Sequence, residues 1–381
     1  MISSTAGRFL AFLKKDIMLA VAVLAAIISC FITAPSRATF QAIDWKTLAT
    51  LFMLLLILDG FKSENLFLPV IRLTGGMHSQ LLLSLFLVFG VFFSSMFVTN
   101  DVSLIIFVPL TILLFRGGGK ERYLLPVLVL ENTAAIRGSL LTPFGSPQNL
   151  FLFSQSGIAV GDFLRMMLPL WVGSAVLLVG FIAFIYRRNL RESFAISRSV
   201  SGTWEPKRRT QRIVYLALFC LCIATIVSRT RLWPAVLAIV TITLLIFDRR
   251  VFQRVDYALI GTFFCFFLFS SSVAANDGIA SFLSRAVAGH EYVWSIALSQ
   301  LISNVPGAIV LWPFTAALKP LIYGLDTAGL VTVIGSLASV ICLRIYAKEY
   351  PGHGGKFLAV FELYSLAFFA IVAPLQLLLL K

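Results

Sequence analysis

Charge is what this sequence has least of. Only 13% of its 381 residues are Asp, Glu, Lys or Arg, about half the share of a soluble domain. Its three histidines (His78, His290, His353) lie in loops or near the ends of apolar segments, and no His, Cys or carboxylate cluster has metal-ligand spacing. The five cysteines (Cys30, Cys220, Cys222, Cys265, Cys342) all fall in apolar segments and read as core residues, not as a disulfide framework. The run Arg116-Gly117-Gly118-Gly119-Lys120 lacks the spacing and following Ser or Thr of a phosphate-binding loop, so it reads as a turn. With no nucleophile–base pair and no metal cluster, a membrane-embedded enzyme acting on a lipid substrate is a remote alternative, and no cofactor is expected beyond a coupling ion.

What is present is apolar. Hydrophobic residues make up 59% of the chain, Phe alone occurs 35 times, and the mean hydropathy is +0.95. Such a chain cannot cover itself with polar surface in water, so a bilayer must be its main solvent. There only helices and closed barrels keep the backbone hydrogen-bonded. The apolar runs are continuous rather than alternating, which selects helices. The net charge of +14 collects between apolar runs, notably over Arg187–Arg212, where it reads as a topology signal and a contact for anionic lipid rather than for nucleic acid.

About twenty apolar residues span a bilayer, which places crossings near 17–33, 46–61, 162–186, 212–228, 232–248, 256–275 and 357–379. The first could pass for a signal peptide, but with so many later spans an uncleaved helix is expected. Segments 80–115 and 293–316 carry polar interruptions, Val98-Thr99-Asn100-Asp101 and Ile302-Ser303-Asn304-Val305-Pro306. Each half looks too short to cross, so the expectation is two re-entrant hairpins with polar tips. Segments 123–158 and 325–347 are interrupted by Gly145-Ser146-Pro147-Gln148-Asn149 and Gly335-Ser336-Leu337-Ala338-Ser339 and read as discontinuous helices. Segment 62–78 reads as an interfacial amphipathic stretch. With the N-terminus cytoplasmic and the C-terminus outside, most Lys and Arg fall in cytoplasmic loops and Arg137 is left inside the membrane. The expected location is a bacterial inner (plasma) membrane.

The two halves echo one another. Ile43-Asp44-Trp45 opens a helix running to Asp59-Gly60-Phe61, and Val255-Asp256-Tyr257 opens one running to Asn276-Asp277-Gly278. Each is followed by a polar-tipped hairpin, a Gly-Ser break and a final helix. The expected organisation is a first repeat over 1–186, a basic cytoplasmic linker over 187–211, a parity-changing helix over 212–231 and an inverted second repeat over 232–381. Inverted repeats with broken helices are a transporter signature, with the binding site near the midplane.

Tips and breaks expose backbone groups that must face protein or a wet cavity. Thr99, Asn100, Asp101, Ser146 and Asn149 could together line a cation or proton site; alternatively Asp101 merely caps a helix starting at Val102. Arg137 is costly in mid-membrane. It contacts an anionic substrate or forms a structural ion pair with Glu131 or Asp101. Glu131 could sit in a proton path, and Glu362 reads as structural. The second site is poorer in ligands: Ser303 and Asn304 match the first tip, Val305 has no oxygen where Asp101 stands, and Ser336 and Ser339 offer hydroxyls only.

Thr99-Asn100-Asp101-Val102 leading into Phe107-Val108-Pro109-Leu110, the motif Leu141–Asn149, and Ser303-Asn304-Val305-Pro306 together resemble the ion transporter superfamily, citrate transporter-like group, which includes arsenite/antimonite permeases and divalent-anion/sodium symporters. The resemblance implies a homodimer of all-α polytopic chains, each with a scaffold and a mobile domain that carries substrate by an elevator-like motion. It also implies a cation site, with sodium at Asn100, Asp101, Ser146 and Asn149, where Asn100 meets the Gly145–Asn149 break. A mirrored site is implied where Asn304 meets Gly335, Ser336 and Ser339. The tips depart from the Ser-Asn-Thr of dicarboxylate symporters, which argues against succinate or citrate. The leading expectation is a secondary transporter of an inorganic or small organic anion, or of a metalloid oxyanion, driven by protons or sodium. The alternative is a sodium/proton antiporter using Asp101.

Overall fold

The computed structural model describes residues 17–34, 36–64, 77, 79–189, 209–228 and 230–381. Their regular structure is helical, with no strand among them. The main elements are α1 (Ile17–Ile32), α2 (Trp45–Ser63), α3 (Gln80–Val98), α4 (Asn100–Gly117), α5 (Leu124–Gly138), α6 (Pro147–Ser156), α7 (Val160–Tyr186) and α8 (Arg209–Ser228). They continue as α9 (Trp233–Phe247), α10 (Tyr257–Ala274), α11 (Asp277–Val287), α12 (Glu291–Ile302), α13 (Asn304–Leu311), α14 (Leu318–Ala328), α15 (Leu337–Glu349) and α16 (Gly354–Leu380). Among the described residues six helices (α3, α4, α7, α8, α10 and α16) are long and apolar enough to cross a membrane. α2 has the length, but Lys46, Asp59 and Lys62 lower its apolar character.

The ends of the helices follow local chemistry. Asp44 accepts from the Thr47 backbone N–H at 3.0 Å, and Asp256 accepts from that of Leu259 at 3.0 Å, so the two helices expected to open each half start in the same way. Asn276 caps α11 by accepting from Ile279 N at 3.1 Å; the sequence reading had no separate helix here. α7 and α16 bury one face and present large apolar side chains outward, among them Val176 and Leu363, as lipid-facing helices do.

Both polar-tipped segments fold back on themselves. In the first, the Ser94 hydroxyl donates to Ser103 Oγ at 2.9 Å and Gly90 lies under the Phe107 ring, nested contacts that make α3 and α4 antiparallel. Its arms are 19 and 18 residues long, about 28 Å each at 1.5 Å per residue and close to the hydrocarbon thickness. The expectation that both halves are too short to cross is therefore corrected for this hairpin. The parity of the layout is unchanged, because a full pair of crossings also returns to its own side. The second hairpin is short, with arms of 12 and 8 residues, and Gly307 lies against Ser299.

The breaks fall where the Gly-Ser motifs stand, between α5 and α6 and between α14 and α15. α14 begins at Leu318, earlier than the expected start near 325. Among the described residues the segments at the breaks are the most enclosed: every residue in 127–140, 142–153 and 321–330 is buried. The amphipathic stretch expected over 62–78 and most of the basic linker over 187–211 lie outside the described residues.

Candidate functional site

Thr99 and Ser303 are the positive-φ residues other than glycine among those described, at φ 71° and 70°. With ψ of 156° and 161° both occupy a region that is essentially glycine's own and costs of order 1–3 kcal/mol for other residues. Each links the two arms of its hairpin. α4 begins at Asn100 rather than Val102, so Asp101 is not its cap; it sits in the first turn, half-buried, where its charge faces the positive end of the helix. The Asn100 side-chain oxygen accepts from the Asp101 backbone N–H at 2.9 Å.

Each tip docks on a break. The Asn100 backbone N–H donates to Gly145 O at 3.2 Å, and the Asn304 side chain donates to Leu325 O at 3.3 Å, in the helix leading to the second break. The breaks share a turn: Gly145 N–H donates to Thr142 O at 3.2 Å, and Gly335 N–H to Thr332 O at 3.1 Å. Thr142 donates to the Met96 carbonyl and Thr332 to Gln300 Oε1, so each break ties back to the hairpin residue three positions before its tip. Glycine is required at both turns, since a Cβ would lie 2.4 Å from Ser139 O at Gly145 and 2.2 Å from Ala328 O at Gly335. Ser146 and Ser336 then start α6 and α15 from the same extended backbone, φ −147° and −146°, without a side-chain cap. Both half-helices therefore begin inside the protein with backbone N–H groups exposed to whatever occupies the break.

Arg137 is fully buried at the end of α5. Its Nε donates to Ser174 Oγ on α7 at 2.8 Å, and its Nη1 donates to Asp326 O and Thr327 Oγ1 on α14, each at 3.3 Å. The partners named from sequence are corrected: neither Glu131 nor Asp101 pairs with it. A six-residue spacing on a 3.6-residue helix puts Glu131 and Arg137 on different faces, and Glu131 instead accepts from the Thr111 hydroxyl on α4.

Asp326 was missed by sequence reasoning. It is fully buried, and its Oδ1 accepts from Gln148 Nε2 of the first break at 3.0 Å. An acidic residue inside the apolar run Leu321–Val331, in the segment expected to be a discontinuous helix over 325–347, was the available signal. Around this junction Arg137 Nη2, Ser146 Oγ, Gln148 Oε1, both amide atoms of Asn149 and Asp326 Oδ2 have no hydrogen-bond partner among the described residues. Thr327 extends the network, donating to Gln376 Oε1 at 2.8 Å, which also accepts from Tyr292 at 2.7 Å. The junction thus joins Arg137 and Gln148 of the first half to Asp326 and Thr327 of the second, with Ser146 and Asn149 beside Gln148 in sequence. Amide and hydroxyl oxygens with one carboxylate suit a hard cation, and an arginine suits an anion. Arg137 also reaches a cavity of about 410 Å³ between α7 and α16, walled by Leu170, Leu177, Val372 and Leu375.

The profile of the citrate transporter family, CitMHS, matches residues 9–338. The chain belongs to that family. It is 29% identical over 327 residues to the inner membrane protein YbiR of Escherichia coli, covering 84% of each chain. It is also 29% identical over 307 residues to the uncharacterized transporter MJ0456 of Methanocaldococcus jannaschii, covering 80% of this chain and 82% of the other. This citrate transporter family member is a multi-pass membrane transporter and not an enzyme.

Proposed function

We propose that the chain is a secondary active transporter that carries an inorganic or small organic anion across a bacterial inner membrane, coupled to protons or sodium. The observation that carries this reading is the matched pair of sites. Two strained tips, Thr99 and Ser303, dock on two breaks that share a glycine turn and a serine-started half-helix. That pairing supports two inverted repeats with a binding site where their broken helices meet. Arg137 and the half-helix N-termini are the groups for the anion. Asn100, Asp101, Ser146 and Asn149 are the groups for a cation, with Ser303, Asn304 and Ser336 as the poorer counterpart. In an elevator-like cycle the hairpins and breaks would move as one body, in a homodimer with its N-terminus cytoplasmic.

The test is anion flux into liposomes holding the purified chain, across citrate, sulfate, phosphate and arsenite, each with a sodium or a proton gradient. Gradient-driven uptake of one anion, lost in Arg137→Ala and Asn100→Ala, is the expected result. Cation exchange with every anion silent would replace this reading with an antiporter.

A further inference from the structure

A second buried carboxyl stands apart from the junction of tips and breaks. Glu131 lies in the middle of α5 and is fully enclosed. Its Oε1 accepts from the Thr111 hydroxyl on α4, and its Oε2 has no hydrogen-bond partner among the described residues. Asn132, the next residue, donates to Ser339 Oγ on α15 at 3.0 Å and leaves its own Oδ1 without a donor. The carboxyl therefore sits where three elements meet: the second arm of the first hairpin, the helix before the first break, and the helix after the second.

Among the described residues no cation pairs with it; Arg137, six positions further along α5, is bonded to α7 and α14 instead. α3 contributes no ionisable side chain. On α4 the charged residues are Asp101 and Arg116, near opposite ends and respectively ten and five positions from Thr111. On α7 the inward group is Tyr186, whose hydroxyl is bonded to Ser84 at 2.7 Å, and Asp162 and Arg165 form an exposed pair at the far end. On α15 the inward groups are Cys342 and Tyr346, while Arg344, Lys348 and Glu349 are exposed. α16 brings Glu362 and Tyr364, both part-exposed. A bare carboxylate in this setting would be isolated in a low dielectric, and the neutral acid is the form that such surroundings favour.

We propose that Glu131 is the proton-binding group of the transport cycle, an inference that rests on the transporter reading above. In the closed arrangement Oε2 carries the proton. When water reaches it, the O–H bond breaks and the proton passes to that water. The remaining carboxylate keeps the Thr111 hydroxyl as a donor. A hydroxyl donor on one oxygen and none on the other lets the group hold either state. Since α4, α5 and α15 belong to both tip–break pairs, a movement that parts them would change access to Glu131 and to the anion site together.

The experiment uses the full chain in liposomes. Dicyclohexylcarbodiimide, which adds to protonated carboxyls in apolar sites, is applied from about pH 5 to about pH 9, and the modified residue is identified by mass spectrometry. Modification of Glu131 at acid pH, falling about tenfold or more at alkaline pH, is expected; in Thr111→Val, which lacks the donor to the carboxylate, it should persist to higher pH. Glu131→Gln, a neutral isostere, should keep anion exchange while losing the proton movement that a pH dye reports under a citrate, sulfate or phosphate gradient. Labelling that is absent or flat across the pH range, or a Gln variant with unchanged proton movement, overturns the proposal. pH-dependent labelling without flux of any of these anions supports the proton site and overturns the anion-transport reading instead.

Discussion

Arg137 shows how much one side chain holds together. Its guanidinium reaches α7 and α14 from the end of α5, and the residues it meets lie 37 to 190 positions away in sequence. Arg137→Ala should destabilise the chain by roughly 1–3 kcal/mol, the usual cost of leaving buried hydrogen-bond acceptors unsatisfied, read as unfolding in detergent. Arg137→Lys keeps the charge but loses the fork and should fall between the two. A double-mutant cycle with Asp326→Asn should give a coupling energy clearly different from zero; additive effects would mean that the two residues do not sense one another. Thr99 works in the opposite sense. Its backbone is held where glycine would be relaxed, so Thr99→Gly should raise unfolding stability by about 1 kcal/mol while leaving the tip less defined. A loss of stability would show that the Thr99 side chain makes up for the strain.

Among the elements, the breaks combine close backbone approach with one threonine hydroxyl bond each to the hairpin. Gly145 and Gly335 each pack against a carbonyl of the preceding segment, at distances no Cβ can share. Gly145→Ala and Gly335→Ala should each shift the turn and cost roughly 1–3 kcal/mol, and each should slow transport beyond what the stability loss explains. Thermal unfolding and flux measured on the same preparations separate the two effects. The hairpins differ in a way that bears on their work. The first has arms of nearly full membrane length and packs against α5 and α15, whereas the second has an 8-residue arm enclosed beside α6 and α14.

For the whole molecule, the balance between lipid and core sets the design. α5 and the end of α14 are enclosed, while α7 and α16 carry outward-facing Val and Leu. A three-residue charge cluster closes one end of α2: Arg254 pairs with Asp59 at 2.6 Å and with Asp248 at 3.2 Å, and Asp248 also accepts from Tyr215 at 3.0 Å. The positive-inside layout puts this cluster on the cytoplasmic side with Arg116, and the chain end outside. Single cysteines at Arg254 and Lys381, in a background lacking the native five, should then react with an impermeant maleimide from opposite sides of right-side-out vesicles. Labelling of both from one side would invalidate the orientation.

The sequence by itself determined that the chain lives in a bilayer, and it located the tips and breaks. Apolar run length decides the solvent, and Thr99-Asn100, Ser303-Asn304, Gly145-Ser146 and Gly335-Ser336 stand out as interruptions of apolar runs, although Gly173-Ser174 lies within α7 without breaking it. It also marked Arg137 as the costly charge. Tertiary structure alone decided what Arg137 touches, because Asp326 and Thr327 come from the other half of the chain and no spacing rule links them. It likewise brought Asp326 against Gln148 of the first break and gave Glu131 to Thr111 rather than to the arginine six positions away. Helix boundaries can be read from neighbouring residues; the partner of a buried charge depends on which distant helices share its layer.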